Sequence, residues 1–270
     1  MKRLDKNFAI SILKYLFLFA GLYYIYFEFK EIDYDIVKSF GIFYLIIAFL
    51  FFLSGTSLFA YTWFRLLNVK KNISTIETIK IYFQGQLGKY IPGSVWSAIG
   101  RIGLAVDMGL ELKFVSKTTI NHLIYLWSSC LVVGVIFLID FKSAIFIFIG
   151  SIIILSFMLS RNIIFYFIGW MSISISYIIL FYSLGEISLN NFNLIINGSL
   201  FSWLGGFLFF PAPSGIGVRE YILTFLLENK EGLNEVVLIA ALARLLTIFN
   251  DLSGYFLYNF IFKFYNKNSV

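Results

Sequence analysis

Long apolar runs alternate with short polar breaks along this chain, on a scale of about 20 residues rather than at the period of a strand. Predominantly apolar runs cover about residues 8–29, 40–64, 116–139, 142–160, 162–184 and 236–262. As helices rising about 1.5 Å per residue, runs of this size cross a hydrocarbon layer of about 30 Å. A cleaved leader is the competing reading of 8–29. The length of that run and the want of an A-x-A-like site favour a first span. Two further stretches, 81–110 and 190–227, are apolar but interrupted.

The polar punctuation assigns sides. The amino terminus is basic, the 28–38 loop carries Glu28, Glu31, Asp33 and Asp35, and the 65–80 loop carries Arg65, Lys70, Lys71 and Lys80. Cytoplasmic loops are enriched in Lys and Arg, so both termini and the 65–80 loop read as cytoplasmic and the 28–38 loop as external. Asp140 and Lys142 mark an external turn, Arg161 an internal one, and Lys263 and Lys267 follow the last run. Stretch 81–110 then leaves and returns on the inner side, and 190–227 does so from the outer side. That pattern is a re-entrant hairpin in each case. The expected fold is an all-α polytopic membrane protein with about six transmembrane helices, two re-entrant helical hairpins and an inverted repeat as the implied symmetry. Residues 1–270 form a single membrane domain, since no polar stretch is long enough for a second one.

Composition agrees with this pattern. The chain is 60% hydrophobic and 13% charged, whereas soluble domains average about 45–50% and about 25%. Thirty-three phenylalanines exceed what one core of this size can hide, so apolar area must face lipid. A net charge of +6 would suggest nucleic acid in a soluble chain, but here orientation in the bilayer accounts for it. One histidine leaves no multi-histidine metal site, and no cofactor motif is present. The single cysteine, Cys130, lies in an apolar run and reads as a packing residue.

The two interruptions carry the chemistry. The first reads Gly88-Lys89-Tyr90-Ile91-Pro92-Gly93-Ser94-Val95-Trp96-Ser97-Ala98-Ile99-Gly100-Arg101, and the second Pro211-Ala212-Pro213-Ser214-Gly215-Ile216-Gly217-Val218-Arg219-Glu220. All 3 prolines of the chain fall in them. Proline ends a helix, and glycine lets the backbone turn and a ligand approach. Ser94 and Ser214 suit the amino-terminal cap of the helix that restarts, whose free N–H groups attract anions. Arg101 and Arg219 follow about two turns later, within reach of the same anion. Lys89, Gly93, Gly215, Gly217 and Glu220 complete the candidate head-group site. Paired breaks of this kind occur in inverted-repeat transporters. The alternative is two kinked ordinary spans whose arginines reach for the interface.

Other polar groups sit at depth. Arg244 and Asp251 share one face of the last run, with Asn250 beside them. Arg244 either lines the same cavity as Arg219 or pairs with Asp251 or Glu220 for structure. Asn121 and His122 lie in the 116–139 run, where a lone histidine is usually a packing group. Asp107 and Glu111 are one turn apart and fit a solvated face better than acid–base work. Gln84 and Gln86 precede the first break and suit the cavity wall or interhelical bonds.

"GKYIPGSVWSAIGR" resembles the Y-x-P-G-x-x-W…G-R element of the lysylphosphatidylglycerol synthase transmembrane family, and "PAPSGIGVRE" resembles that family's P-x-x-x-G-x-G-x-R-E element. Tyr90, Pro92, Gly93, Trp96 and Arg101 match the first element; Pro211, Gly215, Gly217, Arg219 and Glu220 match the second. Pro213 is an additional proline, and Ala212 and Ser214 stand where glycines are usual. The resemblance covers about residues 5–265 and implies a flippase-like membrane module, without the family's soluble aminoacyltransferase and so without lysyl transfer. It implies a lipid partner with a polar, anionic head group: a phospholipid, or a polyprenyl- or glycerol-based glycolipid of the cell envelope, in the cytoplasmic membrane. Two other readings stand beside it. One is an integral-membrane enzyme acting on a lipid phosphate or carrier lipid, with Asp107, Glu111, Glu220 and His122 as its candidate groups. The other is a non-transporting partner of envelope polysaccharide enzymes. A homo-oligomer is compatible with all three.

Overall fold

The computed structural model describes residues 41–69, 73–90, 95–158, 162–185, 189–209, 212–227 and 233–267. These form nine α-helices and two short 3-10 turns, with no strand among the described residues. The helices are α1 (Ile42–Leu67), α2 (Thr75–Gln86), α3 (Trp96–Asp107), α4 (Leu112–Ile136), α5 (Phe141–Met158), α6 (Asn162–Tyr182), α7 (Leu189–Leu208), α8 (Val218–Leu227) and α9 (Leu233–Lys267). The 3-10 turns, Leu87–Tyr90 and Pro213–Gly215, fall at the two sequence breaks. The expected first span, 8–29, lies outside the described residues.

Four helices, α1, α4, α6 and the Glu235–Tyr265 part of α9, are long and apolar enough to cross a membrane. Helix α5 contains a shorter apolar stretch, Phe141–Ile154. Large apolar side chains such as Phe146 on α5 and Phe256 and Phe260 on α9 stand on the outside, at 78%, 63% and 69% exposure. Surface of that kind is at rest in hydrocarbon and costly in water.

Sequence boundaries shift where capping decides them. Asp140, expected in a turn with Lys142, accepts the Ser143 N–H at 2.9 Å and so starts α5 ahead of Lys142. This exposed carboxyl is held below its usual pKa by the hydrogen bonds from Ser143. Ser74 caps α2 by accepting from Glu77 N–H at 3.4 Å. Helix α2 runs through Gln84, Gly85 and Gln86 and gives way to the 3-10 turn Leu87–Tyr90. A side chain from α3 packs on Gly85.

The central contact is α1 on α6, where small residues let the backbones close. A Cβ on Gly55 would stand 2.7 Å from the Gly169 carbonyl oxygen. Beside it, Ser54 and Ser172 share a 2.6 Å hydrogen bond and Ser172 also donates to the Phe51 carbonyl at 2.8 Å. Helix α4 is tied in by tryptophans. Trp170 Nε1 donates to the Leu126 carbonyl at 3.0 Å and to Ser129 at 3.1 Å, and Trp63 Nε1 donates to Thr119 at 3.2 Å. Asn197 on α7 donates to the Phe137 carbonyl at 2.7 Å, at the buried carbonyl end of α4. Inside hydrocarbon each such bond contributes roughly 0.6 kcal/mol on average, so their weight is collective. Against this frame α2 packs on α3 and α7 on α8, each pair a helical hairpin, and α9 lies against both α2 and α8. The two 3-10 turns touch each other.

Candidate functional site between the two breaks

Both hairpins use the same device to aim an arginine. The aliphatic stem of Arg101, on α3, packs where a Cβ on Gly85 of α2 would be. The stem of Arg219, on α8, packs in the same way over Gly206 of α7. Each arginine therefore lies across the other helix of its own hairpin, and its guanidinium reaches an aromatic ring. Arg101 stands 4.7 Å from the Tyr82 ring centre and 5.9 Å from that of Trp63, and Arg219 stands 5.6 Å from that of Trp203. Such contacts favour a cation without cancelling its charge. Neither the two glycines nor the rings belonged to the sequence-level site. A glycine inside each helix ahead of a break was visible in the chain, but its partner was not.

The second turn is built on left-handed backbone. Ser214, Gly215 and Gly217 have φ of 53°, 71° and 81°. Gly215 is also pressed onto α7: a Cβ there would stand 2.6 Å from the Gly206 backbone. Glycine is needed on both counts. Ser214 does not cap α8, contrary to expectation. Its hydroxyl is buried without a hydrogen-bond partner and its carbonyl accepts from Arg244 Nη1 at 2.9 Å. The cap is Glu220, whose Oε2 accepts the Gly217 N–H at 2.8 Å from within the first turn. A carboxylate of the chain thus already occupies the helix end that was expected to hold an anion. At the first break, Pro92, Gly93 and Ser94 lie outside the described residues. Gly88 packs on the α3 start, where a Cβ would come 2.8 Å from the Trp96 carbonyl oxygen.

Helix α9 supplies the third wall. Asp251 forms an ion pair with Lys89 at 2.6 Å and accepts from the Tyr90 hydroxyl at 2.6 Å. Asn250 accepts from Thr56 of α1 at 3.0 Å, fixing α9 in rotation. Arg244 pairs with neither Asp251 nor Glu220. It shares a small pocket with Arg219, Glu220 and Tyr177.

A cavity of about 70 Å³ lies between the breaks, and Lys89, Arg101, Ser214, Arg219 and Asp251 line it. Of the ten predicted site residues, the fold brings Lys89, Arg101, Ser214 and Arg219 to this cavity and sets Glu220 and Arg244 behind Arg219. Gly215 and Gly217 shape the turn. Arg101 is 2% exposed, yet its Nη1 has no hydrogen-bond partner, and neither do Arg219 Nε and Arg244 Nη2. A buried cation without a counter-charge is costly, and an anionic ligand removes the cost.

Of the candidate acid–base groups, Glu220 caps α8 beside Arg219 and the others lie outside the cavity lining. Asp107 and Glu111 are exposed near the end of α3. His122 is fully buried against Tyr166, with a 2.7 Å hydrogen bond, and faces the Tyr82 ring edge-on.

Protein-family models, curated proteins and solved structures provide no match to the chain.

Proposed function

We propose that this chain binds a membrane lipid by an anionic head group in the cavity between the two breaks and carries that head group across the bilayer. The observation that carries this reading is the set of buried guanidinium donors without partners at Arg101, Arg219 and Arg244, gathered where two helical hairpins meet. Three supports accompany it. Four long apolar helices and an apolar exterior suit a bilayer. The two hairpins share one plan, a glycine on the first helix and an arginine on the second, which suits an inverted repeat of re-entrant hairpins. And an apolar groove of about 210 Å³, between Ala98, Leu123, Trp127 and Leu208, opens beside the cavity and shares Ser97, Leu123 and Phe207 with it. A hydrocarbon tail fits such a groove while the head group sits inside.

In this reading the chain has about six spans, both termini cytoplasmic, and sits in the cytoplasmic membrane as a flippase-like module similar to the lysylphosphatidylglycerol synthase transmembrane family. The small cavity is then a closed state, and transport opens it by turns to either leaflet. Head-group translocation in proteoliposomes, with fluorescent anionic lipids, tests the proposal. Wild type should flip the lipid above empty liposomes, and Arg101→Ala and Arg219→Ala, reconstituted to equal density, should lose most of that activity. Equal flipping by all three proteins sinks it.

A further inference from the structure

The cavity also says which anion it suits. Its wall carries Lys89, Arg101 and Arg219 against the single carboxylate of Asp251, a net charge of +2 among the described residues. Behind Arg219, Glu220 and Arg244 offset one another and leave that balance unchanged. Lys89 is already paired with Asp251, so the excess resides on the two arginines, which approach the same space from opposite hairpins. A monoanion neutralises one of them; a dianion neutralises both.

Shape narrows the choice. The space of about 70 Å³ holds a compact polar group of several heavy atoms. Its aromatic rings are also engaged. Tyr82 has Arg101 near its ring, and Trp203 has Phe207 stacked at 5.6 Å, the Trp170 ring edge-on and Arg219 nearby. No ring face of either is left on which a sugar could stack. Guanidinium groups on two sides call instead for oxygens exposed on more than one side. A terminal phosphate has three, and a phosphodiester has two.

Resting on the lipid-binding reading above, we infer that the ligand is a lipid ending in a phosphomonoester or diphosphate, rather than a phosphodiester phospholipid or a glycan-capped lipid. The terminal phosphate lies in the cavity that Arg101 and Arg219 both line, and its chain leaves through the groove beside Leu123 and Phe207.

The test is lipid retention by the full chain in nanodiscs of phosphatidylcholine, read by native mass spectrometry. Phosphatidic acid and phosphatidylglycerol with identical acyl chains are the probes, at about pH 8, above the second phosphate ionisation near about 6. Phosphatidic acid should be retained at least about tenfold better than phosphatidylglycerol, because one more charge faces the arginines. Arg101→Gln and Arg219→Gln should bring that ratio towards one, while Arg219→Lys, which keeps the charge, should preserve most of it. Glycerol phosphate at equal concentration should displace little. Equal retention of both anionic lipids, each above phosphatidylcholine, overturns this inference and leaves the anionic-lipid reading standing. Retention of neither above phosphatidylcholine overturns both. Displacement by glycerol phosphate as effective as by phosphatidic acid makes the ligand a soluble phosphomonoester and overturns the lipid assignment.

Discussion

Arg244 and Asp251 stand two helical turns apart on one face of α9, and each holds a different break: Arg244 Nη1 donates to the Ser214 carbonyl at 2.9 Å, and Asp251 pairs with Lys89 at 2.6 Å. One rigid helix therefore sets the distance between the two turns. A shift of α9 along its axis would move both contacts together, so the last helix is positioned to couple the two hairpins.

Asp251→Asn should be strongly destabilising. It leaves Lys89, whose side chain is only 17% exposed, without its counter-charge. Removing one partner of a buried pair costs about 3–5 kcal/mol. A thermal melt in detergent should show the loss, and the double variant Asp251→Asn with Lys89→Met should recover much of it. A double variant as unstable as the single one would mean that the pair is not what Asp251 contributes.

Arg101→Met should separate stability from function. The guanidinium is buried with Nη1 unpartnered, so its removal relieves an uncompensated charge and keeps a flexible apolar chain over Gly85. The melting temperature should hold or rise while anionic-lipid binding falls. A large drop in melting temperature would show that Arg101 serves the fold.

Gly215→Ala should cost more than any other glycine change in the hairpins. It meets a left-handed φ of 71° and a backbone 2.6 Å away that cannot swing aside. The conformational penalty alone is about 1 kcal/mol and the clash adds about 1–3 kcal/mol. Gly103→Ala, with nothing within 4 Å, is the control and should be neutral or stabilising by up to about 1 kcal/mol. Melting curves of the two variants, compared side by side, decide this.

Sidedness can be read by cysteine labelling in a Cys130→Ala background. Cys130 is buried against the Leu200 carbonyl, so its removal should leave the surface unchanged. Val69→Cys, at the exposed end of α1, should react with an impermeant maleimide only after the cells are opened. Lys142→Cys, at the start of α5, should react in intact cells. The reverse pattern would invert the orientation that the basic loops imply.

Much of this molecule is legible without coordinates. Runs of apolar residues can satisfy their backbone only as helices in hydrocarbon, so the helical class and the approximate limits of α1, α4, α6 and α9 follow from residue type alone. Proline and glycine likewise announce both breaks, since their local conformational limits do not depend on the rest of the fold. The candidates Arg101 and Arg219 were found because each follows such a break.

Tertiary structure decided the relations between distant residues. Nothing local tells that Asp251, rather than Glu220, would meet Lys89, or that Glu220 would turn back to cap its own helix in place of Ser214. Nor does the chain announce that Gly85 and Gly206 would seat the arginine stems, because a glycine's usefulness there depends on what packs over it. Charge balance in the cavity is of the same kind. It is a sum over residues from three separate parts of the chain, and only their packing determines which charges are added together.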